Sequence, residues 1–485
     1  MPEVVGGAAD KVAKTSPAVV ASLFTIATAQ LMLVLDDSVV NVALPSIQRE
    51  LHVSPVYLSW VVNAYILAFG ALLMLGGRIG DLWGRRRTVQ VGLVIFVVAS
   101  LAGGLGQTAG MLIGARGLQG LGAALIAPNV LALITTTFAE RKLRDTALSL
   151  YGAMSGLGIV IGLLAGGVLT GTLGWRWVFF INVPIGLLVL LGTRTLSAPQ
   201  PHRGQLGTIG AVLGTAGTFA LVFAITRFGE DGFTDPVALT AAGISVAVLA
   251  GFVLTQARSR HPLVPLSLFR DRNRTGAYLT MLLLAVGPMG SLYVLTLYLQ
   301  RVRDYSPIMT GLAWLPFAVG IILGAGLAPK LLSTVAPRLV AGGGALLSAL
   351  AALWFSTITT TSGYWSHLAP PMLVSALGFG LGVMALTQAA VYDVDSDKAG
   401  IASALLNSAQ QIGVALGIAV LAGVAATITS HSTEAEPTAL TNGYSGALLV
   451  AFAMLLTATV VAVLFLRDNT REPMSTGRSA GTVSS

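Results

Sequence analysis

The 485-residue chain has no cysteine. Disulfides, thiolate nucleophiles and thiolate-ligated metals are therefore excluded, and the redox compartment leaves no mark on the sequence. Charge is also scarce. Asp, Glu, Lys and Arg together make up 10% of the chain, against roughly 25% in soluble domains. The five histidines are isolated, with no metal-like spacing, and no nucleophile-base pairing is visible. None of the five lysines follows a glycine, so there is no phosphate-binding loop to couple the protein to ATP. What remains is apolar: 54% hydrophobic residues and a mean hydropathy of +0.81. This is the composition of an integral membrane protein.

The formal charge of +8 does not point to nucleic acid, because the basic residues sit in short clusters between apolar runs. Fourteen runs are long enough to span a bilayer, from 18–44 to 443–466. The first is too long for a signal-peptide core and is read as a retained helix. An even count puts both termini on one side. That side carries 22 of the 28 Lys and Arg, the opposite side five, and Arg116 lies within the fourth span. The positive-inside rule then predicts cytoplasmic termini in the cell membrane.

An internal repeat divides the chain. "RDTALSLYGAMSGLGIVIGLLAGG" from Arg144 aligns without gaps on "AGIASALLNSAQQIGVALGIAVLA" from Ala399, matching Gly158 with Gly413 and Gly162 with Gly417. Gly120–Gly122 corresponds likewise to Gly380–Gly382. The expected organisation is a cytoplasmic tail (1–17), a six-helix bundle (18–195), a linker with an inserted helix pair (196–274), a second six-helix bundle (275–466) and a tail expected to be disordered (467–485). Transporters are commonly built from such repeats, with the binding site between them.

Three charges lie inside spans where hydrocarbon is expected. "LVLDDSVVNVALP" places Asp36 and Asp37 in the first span, and "ARGLQG" places Arg116 in the fourth with Gln119 one turn along. Intramembrane charge is costly and marks proton, ion or substrate handling. At 1.5 Å per residue, Asp37 is roughly 12 Å and Arg116 roughly 9 Å from the outer ends of their helices, so the carboxylates and the guanidinium are at similar depth. The aspartates are about 100° apart on the helix. Periodicity groups Asp37 with Gln30 and Asn41 and favours Asp37 as the cavity-facing one.

The loop "GGRIGDLWGRRRT" holds Gly77, Asp81, Gly84, Arg85 and Arg86 in the pattern G-x3-D-x2-G-R-R. It resembles the signature loop of the major facilitator superfamily. "LDDSVVNVALP", "ARGLQGLGAALIAP" and "WRWVFFINVPIG" are similar to the fourteen-helix drug:proton antiporter branch. The resemblance runs from about Leu31 to Asp468 and implies an all-α fold of two six-helix bundles with an inserted pair. It also implies proton-driven export of lipophilic or cationic small molecules by alternating access, with no cofactor beyond the proton gradient, no enzyme activity, no nucleic acid partner and a monomeric state.

Resemblance assigns proton coupling to Arg116 and favours Asp36 over Asp37. It implies an inner gate formed by the Gly77–Arg86 loop with Asp145, or with the acidic loop of Asp393, Asp395 and Asp397. The family's antiporter motif has Gly-Pro where this chain has Gly162-Leu163, but the ridge Gly158, Gly162 and Gly166 survives, as close helix packing requires.

The last six spans hold no deep charge. Their polar and aromatic residues, Tyr293, Tyr298, Trp314, Phe317, Gln388, Asn407, Gln410 and Gln411, together with Asn41 and Gln119, are candidates for a substrate cavity with an apolar, amide-bearing wall. Alternative readings are a proton-coupled symporter or facilitator for one metabolite and, from a different class, a membrane-embedded enzyme or a non-transporting sensor.

Overall fold

The computed structural model describes residues 17–467 apart from 139, 198–206, 233, 260, 261, 263, 393 and 395. Among them the chain is helical, and its spans follow the apolar runs. They are α1 (Pro17–Leu51), α2 (Trp60–Trp83), α3 (Arg85–Gly104), α4 (Ala109–Thr137), α5 (Arg141–Thr172), α6 (Trp177–Thr195) and α7 (Thr208–Asp231). There follow α8 (Pro236–Arg258), α9 (Arg272–Arg301), α10 (Pro307–Leu332), α11 (Pro337–Phe355), α12 (Tyr364–Val391), α13 (Ser396–Ser430) and α14 (Glu436–Phe465). Thirteen are long and apolar enough to cross a membrane, and α5 carries the fourteenth apolar stretch, Leu157–Thr172. This is a multi-pass membrane protein.

Local chemistry starts and stops these helices. Asp235, Asp271 and Ser306 cap α8, α9 and α10 by accepting from the backbone N–H three residues on, with Pro236 and Pro307 in the first turns. Gly84 joins α2 to α3 at φ +98°, a conformation that side chains disfavour.

Glycines then set which helices touch. A Cβ on Gly162 would lie 1.9 Å from Ser38 Oγ, and on Gly166 2.7 Å from the Val39 carbonyl, so the α5 ridge lies directly on α1. Gly158 meets Val34 in the same way. The repeat reproduces this in the second half: a Cβ on Gly413 would lie 2.1 Å from the Leu282 carbonyl, and on Gly417 2.7 Å from Val286 Cα, placing α13 on α9. Gly120 on α2 and Gly380 on α10 form a second matched pair, each against backbone. Small residues let helix backbones approach this closely, which gains dispersion contacts where no hydrophobic drive separates protein from lipid.

The start of α1 lies beside the end of α6 through Ser22 Oγ, which donates to the Thr195 carbonyl at 3.0 Å. The end of α14 meets the start of α9 through Asn273, whose Oδ1 accepts from Arg467 N at 3.0 Å. Contacts between halves on the side away from the termini are close. Gly167 and Gly171 of α5 pack on Pro307 and Ile308 of α10, Gly311 on the Leu163 carbonyl, and Gln300 Nε2 donates to the Val42 carbonyl at 2.9 Å. Leu163, where the family pattern has proline, is 1% exposed, and its carbonyl serves this seam. Deeper in, α2 meets α13 where Ser408 Oγ donates to the Gly70 carbonyl at 2.8 Å. The inserted α7 packs along that α2–α13 seam and α8 packs on α7, with Trp60 stacked on Phe219 at 6.4 Å.

Candidate functional site

The centre of the first half is a polar network enclosed in apolar helices. Asp36 of α1, Arg116 and Gln119 of α4, Asn182 of α6 and Ser100 of α3 are each 0% exposed. Arg116 Nη1 donates to Asp36 Oδ2 at 2.6 Å and to Gln119 Oε1 at 3.1 Å. Asp36 Oδ1 accepts from Gln119 Nε2 at 2.9 Å and from Asn182 Nδ2 at 2.6 Å. Ser100 Oγ accepts from the same two amides, at 2.6 Å and 3.2 Å. The guanidinium is further held by Nε donating to the Val61 carbonyl of α2 at 2.9 Å, and it lies 4.3 Å from the Tyr65 ring centroid.

Five of the six spans of this half therefore converge on one ion pair. Burying two charges costs several kcal/mol per ion, on the order of what their attraction and charge-assisted hydrogen bonds return. The pair is thus poor as a stabilising device, and a change in its protonation or solvation would alter how α1, α4 and α6 fit together. Among the described residues, Arg116 Nη2 and Asn182 Oδ1 have no partner, so the network is not fully satisfied in this conformation.

The structure separates the two aspartates. Asp36 meets Arg116, while Asp37 is partly accessible and among the described residues accepts no hydrogen bond at its carboxylate. Its backbone carbonyl accepts from Asn41 Nδ2 at 2.8 Å, so the Asn41 amide bonds back onto its own helix, and the residue is 8% exposed. Asn182 and Ser100 were not anticipated. Each is a single polar residue in an apolar run, and only the stretch "FFIN" within a family-like motif drew attention to its neighbourhood.

The aromatic residues expected at a cavity wall are buried in this conformation. Tyr293, Tyr298, Trp314 and Phe317 are at most 1% exposed and pack inside the second half. Tyr298 donates to the Thr359 carbonyl, Trp314 Nε1 donates to Thr296 Oγ1 at 3.2 Å, and Trp314 meets Phe317 edge-on at 5.5 Å. Their polar atoms found partners within the bundle, where the rings fill volume between helices. The amides behave differently: Gln388 and Asn407 are exposed, and Gln410 and Gln411 are half-buried.

In the loop before α3, Arg85 Nη2 pairs with Asp81 at 3.1 Å and Nη1 donates to the Ala132 carbonyl of α4 at 3.3 Å. These bonds stay within the first half. Gly77 packs beside Pro128, and a Cβ on Gly80 would lie 1.6 Å from Asn129 Oδ1, so α2 and α4 are clamped where Asn129 Nδ2 donates to the Gly76 carbonyl at 2.8 Å. Arg86 is half-exposed. The side chains of Asp145 and Asp397, and residues 393 and 395, lie outside the described part, so the expected acidic partners of this loop are not placed.

The sequence pattern of the Major Facilitator Superfamily matches residues 26–418. Over 475 residues the chain is 41% identical to a puromycin resistance protein of Streptomyces alboniger, covering 95% of this chain and 94% of that one. It is 38% identical over 462 residues to a cephamycin export protein of Amycolatopsis lactamdurans, covering 94% of each. Among solved structures, the POT family transporter PepTSo superposes with a TM-score of 0.69 at 15% identity over 92% of this chain and 97% of that one, a likeness of fold.

Proposed function

Since the chain belongs to the major facilitator superfamily, a family of transporters rather than enzymes, we propose that it exports amphipathic, antibiotic-like organic compounds from the cell in exchange for protons. The relatives named for puromycin resistance and cephamycin export support the substrate class. The observation that carries proton coupling is the Asp36–Arg116 pair, with both side chains 0% exposed. A carboxylate held in mid-span by a guanidinium and two amides is a group whose protonation changes the charge, and hence the packing, of five helices at once.

In this reading the termini are cytoplasmic, as the Lys and Arg bias predicts. The seam formed by Gly167, Gly171 and Gly311 is then the closed outer gate, and the exposed Gln388 and Asn407 face an inward opening. Asp36 is protonated from outside in the alternate state, and Arg116 re-forms the pair when the proton leaves inward. The halves move as bundles about the glycine-packed seams.

Everted vesicles test this. With an inward-acid gradient, wild-type vesicles accumulate a lipophilic antibiotic and lose it when the gradient is collapsed. Equilibration of the compound without accumulation, whatever the gradient, would instead favour a facilitator.

A further inference from the structure

One buried side chain between the halves lacks a partner. Asn63 of α2 is 0% exposed, and among the described residues neither its Nδ2 nor its Oδ1 makes a hydrogen bond. A buried amide left unsatisfied carries its full desolvation penalty, and few such groups persist in native structures without a role.

The surroundings explain the orphan. Asn63 precedes Gly70 by seven residues, two turns along the same face of α2. Gly70 lies on α13: a Cβ there would lie 2.5 Å from Gln411 Cβ, and its carbonyl accepts from Ser408 Oγ. The opposite face of α2 belongs to α4, where a Cβ on Gly76 would lie 1.9 Å from the Ala124 carbonyl. Trp60, one turn before Asn63, stacks on Phe219 of α7. This spacing places Asn63 where α2, α13 and α7 meet, beyond the Ser408 contact on the side away from the termini. From Ile412 to Ala426, the corresponding stretch of α13, no side chain can donate or accept. Closing this seam therefore strips the amide of water and returns nothing.

We propose that Asn63 poises the outer gate: its unsatisfied amide penalises the closed seam and is hydrated when α2 and α13 part, which keeps the outward-open state within reach. The proposal rests on the alternating-access reading above and gives Asn63 no contact with substrate or proton. Leucine has the same branching at Cγ and needs no partner, so Asn63→Leu deepens the closed state instead of weakening the protein.

The chain has no cysteine, so one introduced thiol reports the gate. Leu163 is 1% exposed and lies four and eight residues before Gly167 and Gly171, on the α5 face that meets α10. Leu163→Cys is labelled by N-ethylmaleimide only while α5 and α10 are apart. In purified full-length protein, adding Asn63→Leu is expected to slow that labelling about tenfold, the shift from removing one orphaned amide. The melting temperature, read without the added cysteine, is expected to rise by about 2 °C or more. Higher stability with slower opening is a combination that a merely structural role does not produce. The proposal is overturned if labelling is unchanged or faster, if the melting temperature is unchanged or falls, or if Leu163→Cys is not labelled with Asn63 in place. Asn63→Val is the second apolar variant, and failure of both to elute as folded protein would make Asn63 structural and equally overturn it. Neither readout uses substrate or a gradient, so absence of proton-driven accumulation by wild-type vesicles would remove the exporter reading and leave this result standing.

Discussion

The two halves share a packing code and differ in chemistry. In each, the fifth helix lays glycines on the backbone of the first: Gly158, Gly162 and Gly166 on α1, Gly413 and Gly417 on α9. Yet the first half closes around Asp36 and Arg116, whereas the corresponding interior of the second half closes around Tyr293, Tyr298, Trp314 and Phe317. Close helix packing thus needs only small residues at matched positions. It places no demand on the polar groups, and one half is free to carry an ion pair while the other serves as an apolar counterpart. The comparison places buried charge in one half and buried aromatic rings in the other.

The sharpest way to break the comparison is Arg116→Ala. It leaves Asp36 buried without its cation, and a broken buried pair costs about 3–5 kcal/mol. The variant is expected to melt well below wild type and to lose gradient-driven transport, read by thermal unfolding in detergent and by vesicle uptake. Wild-type stability would show that Asp36 is neutral or hydrated in the resting protein.

Next in size are Gly162→Ala and Gly417→Ala, compared side by side. The new methyl would sit 1.9 Å from Ser38 Oγ in the first half and 2.7 Å from Val286 Cα in the second. Both are expected to lower stability by about 1–3 kcal/mol, the range for overpacking. A loss in only one half would show that the repeat is a likeness of sequence without a shared packing role.

Trp314→Phe removes the bond to Thr296 Oγ1 and is expected to cost about 1 kcal/mol while leaving proton-driven uptake unchanged in its pH profile. A shifted profile would place coupling chemistry in the second half as well. Smallest is Arg85→Ala. Its pair with Asp81 is partly exposed and contributes about 0.2–1 kcal/mol, so melting should barely change, and any large fall in transport rate would report a gate rather than a stability effect.

The spans and glycine seams were legible because both depend on periodic features that a single sequence displays: apolar length and small residues every fourth position. The meeting of Arg116 with the aspartate pair was legible from depth, since 1.5 Å per residue fixes height along a helix. Rotation was harder. Periodicity puts Asp37 on the stripe with Asn41, and the residue that meets Arg116 is Asp36, about 100° away around α1.

Asn182 and Ser100 escaped notice because one polar residue in an apolar span carries neither depth nor facing information until its neighbours are known. Trp314 and Phe317 pose the same difficulty, since their spacing is equally consistent with a cavity wall and with a bundle core. Their burial is set by partners such as Thr296, eighteen residues earlier in the chain.

The most direct test is proton-driven accumulation of a lipophilic antibiotic in everted vesicles containing wild type or Asp36→Asn at matched expression. The account predicts that Asp36→Asn, which keeps nearly the volume of the carboxylate but cannot carry the charge, abolishes accumulation driven by the gradient. Accumulation at the wild-type rate and with the wild-type dependence on the gradient would contradict it.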